Sequence, residues 1–178
     1  MNLILQKKKE NISEYLIKLY QTEDLIRSYE LDLDRIYANI IVHLPVEEEE
    51  KMALRAWYKE LLEEMKEKGL EVKGHVAEIT DLLLALEQLH LELYKLDKNY
   101  KPVYEKAAED IQKHIDLSEG LISNPVEVCL NTVYGYMLLR LDGGEVDDEL
   151  NTRIQNFGEV LSYLSYRYKI KQTLDSVK

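Results

Sequence analysis

Seven glycines and three prolines are all the strong backbone punctuation in 178 residues, and between them apolar residues recur every three or four positions. No run shows the two-residue alternation of a half-buried strand. The chain is therefore expected to be all-α: a single-domain helical bundle of about six or seven helices spanning 1–178, with short flexible basic termini. A chain of this length can bury roughly 70% of its unfolded surface in one core.

The helix ends can be placed from their chemistry. A first helix is expected from about Lys8 to Tyr29, with Ile12, Leu16, Leu19 and Ile26 on one stripe and a bend near residue 31 that Asp32 can cap. After Pro45, the acidic run Glu47–Glu50 suits the positive end of a new helix dipole; that helix places Leu54, Trp57, Tyr58, Leu61 and Met65 on one face and stops at Gly69. A fourth helix follows Gly74, with Val76, Ile79, Leu83, Leu86, His90 and Leu93 inward. A peripheral fifth is opened by Pro102, with Val103, Ala107, Ile111 and Ile115 on its apolar side. The sixth, about 125–142, has the clearest start: Asn124 as cap, Pro125 in the first turn and Glu127 at the third position. It is apolar on nearly every side and is expected at the centre of the bundle. Asp147 or Asp148 caps a last helix that frays into a basic tail.

Charge removes whole classes of function. A formal net charge of −11 repels phosphate backbones and anionic headgroups, so neither nucleic acid nor a membrane surface is an expected partner. The basic clusters, Lys7–Lys9 and Arg167, Lys169 and Lys171, read as solvated helix ends. Cys129 is the single cysteine, which excludes an internal disulfide and multi-cysteine zinc patterns and suits a reducing compartment. Leu3–Leu5 are too few for a signal-peptide core, and no stretch approaches a membrane span. The expectation is a cytoplasmic protein.

Two charges fall where the core should be. Arg140 continues the row Val126, Leu130, Val133, Met137, and Glu23 continues the row Leu16, Leu19, Ile26. A buried charge requires a partner, so the spacing predicts a partly buried Glu23–Arg140 ion pair, with Asp24 and Arg27 beside it, that docks the first helix on the sixth. The alternative use of the same residues is an anion pocket in which Glu23, Asp24 and Arg27 face Arg140, with Tyr136 one turn before it and Trp57 or Tyr58 as an aromatic wall. Gly135, mid-helix, is expected to allow close helix packing; the alternative is a cavity beside the flanking tyrosines.

Other chemistry is thinly represented. Glu87-x-x-His90 has the spacing of one half of a di-iron carboxylate motif, but His43, His75 and His114 lack a glutamate three residues earlier, so no metal or other cofactor is expected and His90 reads as a satisfied or half-exposed histidine. The serines sit on no strand-to-helix elbow, there is no glycine-rich phosphate loop, and Cys129 in apolar surroundings reads as an inert thiol. Thirteen tyrosines against one phenylalanine suit a core margin whose hydroxyls reach water, or an interface.

The stretches "YQTEDLIR", "LRAWYKELL", "LHLELYKL" and "CLNTVYGYMLLRL", in that order, resemble a bacterial family known as domain of unknown function 4924, over about Lys8 to Tyr168. The resemblance implies a small helical protein and brings no catalytic residue. The expected function is a non-catalytic cytoplasmic scaffold or protein-interaction module that self-associates through a Tyr- and Leu-rich face. The alternative is a small-anion-binding protein or enzyme with its pocket around Arg140 and Glu23.

Overall fold

Helix ends in the computed structural model, which describes residues 3–175, follow the local capping chemistry closely. Among the described residues there are eight α-helices and no strand. They are α1 (Leu3–Glu10), α2 (Ile12–Ser28), α3 (Leu33–Asn39), α4 (Glu48–Glu67), α5 (Ala77–Leu96), α6 (Tyr100–Leu117), α7 (Pro125–Leu141) and α8 (Asp148–Asp175), with a 3₁₀ turn at Ile41–His43. Asp32 caps α3 by accepting from the amides of Asp34 and Arg35, and Asn124 caps α7 by accepting from Val126 and Glu127. Gly69, at φ +67°, follows the end of α4.

Three boundaries differ from expectation. The first helix is two helices, broken at Asn11, because the amide of Ser13 in the first turn of α2 is met by another helix. It donates to Ser165 Oγ at 3.2 Å, while the two serine hydroxyls lie 2.7 Å apart. Helix α6 begins at Tyr100, two residues before Pro102, since the Asp97 carboxylate accepts from the amides of Asn99 and Tyr100 and takes over the cap. The basic ends are helical: Lys7–Lys9 lie in α1, and Arg167, Lys169 and Lys171 lie in α8, where Arg167 pairs with Asp97 and Lys171 with Glu92. The expectation of flexible ends otherwise falls on residues 1, 2 and 176–178, outside the described residues.

The chain divides into two units, one holding the residues up to Glu10 and Glu14–Thr80, the other Asn11–Ser13 and the chain from Asp81 onward. In the first, α3 packs on α4 and on the 3₁₀ turn, and the buried residues include Leu16, Leu19, Ile26, Ile36 and Met65. In the second, α6, α7 and α8 pack on one another around Tyr100, Ile111, Val126, Leu130, Phe157 and Leu164. Each such side chain contributes about 1.5–3 kcal/mol on burial. The fourth-helix stripe is fully inward: Val76, Ile79, Leu83, Leu86, His90 and Leu93 are all buried.

Candidate functional site

The start of α5 has no Ser, Thr, Asp or Asn of its own to cap it, and its amides are met from elsewhere. Glu23, 0% exposed on α2, accepts from the Val76 amide at 2.7 Å, and Glu64 of α4 accepts from the Ala77 amide at 2.7 Å. Two carboxylates thus sit at the positive end of the α5 dipole. Ala77 and Lys68 hold the Glu64 carboxyl below its ordinary value although burial pushes the other way.

The second oxygen of Glu23 lies 2.7 Å from His75 Nδ1, and the imidazole stacks on Tyr20 with ring centres 4.6 Å apart. Arg27, one turn along α2, donates to the carbonyls of Leu70 and Gly74 and pairs with Asp24 at 3.2 Å and Glu23 at 3.9 Å. It straps down the loop between α4 and α5. Gly74 has to be glycine there: its φ is +95°, and a Cβ would lie 2.8 Å from Leu70 Cδ2.

The structure therefore brings together three of the expected site residues, Glu23, Asp24 and Arg27, and gives them a structural task. The expected Glu23–Arg140 pair is not what holds Glu23, because both oxygens of its carboxylate are taken within its own unit. Arg140 is exposed rather than partly buried. Along its row, Val126 and Leu130 are buried, Val133 and Met137 half-buried, and Arg140 lies in the last turn, where Leu138, Leu139 and Leu141 are exposed as well. Arg140→Met is accordingly expected to change stability by no more than about 0.5 kcal/mol in urea unfolding. A loss several times larger would restore a buried role for the guanidinium. Trp57 is half-buried on α4 with its ring edge-on to Tyr58, 5.4 Å between centres.

Tyr136 lies in an open cleft of about 370 Å³ walled by Gly135 and Leu139 of α7, His114 of α6 and Leu150 of α8, and its hydroxyl donates to Asn151 Oδ1 at 3.2 Å. Gly135 faces this space: a Cβ there would meet nothing within 4 Å. The expectation of close helix packing at Gly135 is thus replaced by the cavity alternative. Because its backbone is ordinary helix with open space beside it, Gly135→Ala is expected to raise stability by about 0.5–1 kcal/mol, read as a higher urea midpoint. A lower midpoint would mean that the cleft is filled by a neighbour.

A second polar centre lies in the other unit. His90, 4% exposed, places Nδ1 2.8 Å from the Tyr100 hydroxyl, with the ring of Tyr104 centred 4.4 Å away and Tyr94 at 6.0 Å. Burial lowers its pKa to about 4, so the imidazole is neutral at pH 7. Burial also pushes the Tyr100 hydroxyl and the Cys129 thiol upward, leaving both protonated and the thiol inert. At the rim, Asp97 accepts from Tyr163 Oη at 2.9 Å and pairs with Arg167; burial would raise its carboxyl, but the Asn99 amide, Tyr163 and Arg167 hold it below the ordinary range. Among the described residues, no three His, Cys, Asp or Glu side chains gather as metal ligands, and no helix is long and apolar enough to cross a membrane.

Sequence reasoning placed Glu23 in the core but missed His75 and the α5 start as its partners. The available signal was a helix opening at "GHVAEIT" without a capping residue of its own.

These features define a helical protein whose buried polar side chains tie helix ends and neighbouring helices together. The chain belongs to the family described as Domain of unknown function (DUF4924), whose model matches residues 1–175. No curated protein and no solved structure matches it.

Proposed function

We propose that the protein is a non-catalytic interaction module of the bacterial cytoplasm and that its contact surface is the outer face of α8. The observation that carries this reading is a helix with two apolar sides. Phe157, Val160, Leu161 and Leu164 are buried, while Tyr166, Ile170 and Leu174, each one turn from the last, stand 63%, 37% and 62% exposed. Large apolar side chains left in water on successive turns mark a contact surface. A single buried cysteine suits a reducing compartment.

The test is photo-crosslinking in cells with a benzophenone amino acid at position 166, and at exposed position 113 on α6 as a control. The module reading expects a protein adduct from position 166 alone. Free monomer at both positions overturns it. A small-anion alternative at Arg140 predicts instead that phosphate raises the melting temperature and that Arg140→Met abolishes the rise.

A further inference from the structure

We infer that α8 pairs antiparallel with the α8 of a second copy of this chain, crossing between Ser162 and Tyr166. The inference rests on the module reading above and names its partner. Gly158, Ser162, Tyr166, Ile170 and Leu174 are spaced by four and form one ridge along the helix, small at its beginning and large at its end. The small end is open: a Cβ at Gly158 would meet nothing within 4 Å. A groove of about 680 Å³ runs beside it, lined by Val103, Gly158, Glu159, Ser162, Tyr163 and Tyr166. A second of about 300 Å³ continues along Lys169, Ile170, Thr173 and Leu174, and Tyr166 is a wall of both.

Reversing the ridge over itself about that crossing puts the second copy's Ile170 opposite Gly158 and its Tyr166 opposite Ser162. Large side chains enter the space beside small ones, as close helix contacts require. The same register sets Glu159, whose carboxylate Lys106 of its own chain meets at 3.1 Å, opposite the second copy's Lys169, once at each end of a two-fold contact. Parallel pairing in register would stack Tyr166 on Tyr166 and bring Glu159 against Glu159 and Lys169 against Lys169. Size and charge therefore both select the antiparallel arrangement, and the cross-pairs favour association that a net charge of −11 on each copy otherwise opposes.

Sedimentation velocity of the full chain tests this directly. A concentration-dependent dimer is expected, weakened about tenfold or more by Tyr166→Ser and by Gly158→Leu, with the monomer's melting temperature unchanged by the first, because Tyr166 stands in water, and not lowered by the second, which replaces a mid-helix glycine beside open space. Orientation is read from charge: Glu159→Lys or Lys169→Glu alone weakens the dimer, and the two together restore it. A dimer indifferent to Tyr166→Ser and Gly158→Leu overturns the proposal, as does failure of the double charge swap to restore pairing. A chain that stays monomeric overturns it too. If position 166 then still crosslinks to a different protein in cells, the module reading survives while self-pairing falls; if it crosslinks to nothing, both fall.

Discussion

Glu23→Ala is expected to lower the unfolding free energy by about 3–5 kcal/mol, the usual result of removing one member of a fully buried charged, hydrogen-bonded set. The substitution takes away the acceptor for the Val76 amide and for His75 Nδ1, both at 2.7 Å, and leaves Arg27 without one of its two carboxylate neighbours. It also removes a negative charge from the positive end of α5, a helix of 20 residues. Glu23→Gln keeps a carbonyl acceptor for Val76 and is expected to lose less. Equilibrium urea unfolding at neutral pH measures both. A Glu23→Ala variant as stable as Arg140→Met would show that the start of α5 is held by Glu64 alone.

Stability is expected to fall between pH 6.5 and about 4 through His90, by roughly 2–3 kcal/mol. The sign follows from the depressed pKa. In this window the unfolded chain, titrating near 6.5, binds a proton that the folded chain refuses until about pH 4, so acid favours unfolding. The contribution is complete above pH 6.5, and below about 4 both states are protonated and it changes no further. The physical cause is burial of the ring against Tyr100 and Tyr104 without a carboxylate beside it. Comparing urea unfolding of wild type and His90→Gln across this window isolates the term, because the variant should lose that part of the slope. Identical pH profiles would mean that His90 charges freely in the fold.

Local chemistry made most helix boundaries legible. Asn124–Pro125, Asp32, the acidic run that opens α4 and Gly69 act within a few residues of themselves, so their effect is written in neighbouring letters. The start of α6 was misread because Asp97, three residues before Tyr100, outcompetes Pro102 as a start signal by capping two amides. The break at Asn11 was invisible because its acceptor, Ser165, lies 152 residues from Ser13.

The candidate site divides in the same way. Periodicity placed Glu23 and His90 inward, since a helix face is a property of spacing alone. It placed Arg140 on the correct row and the wrong depth, because spacing says which side of a helix faces the core and nothing about where along its axis the neighbours stop. The partners of Glu23 were a backbone amide and a histidine from a loop, and Gly135 turned out to border a cleft. By itself, then, the sequence determined the all-α class, the helix faces and most caps, which depend on interactions within one or two turns. Only the tertiary structure decided which donors meet Glu23, how far α7 stays buried and which side of α8 is left in water, because each depends on where helices distant in the chain begin and end against one another.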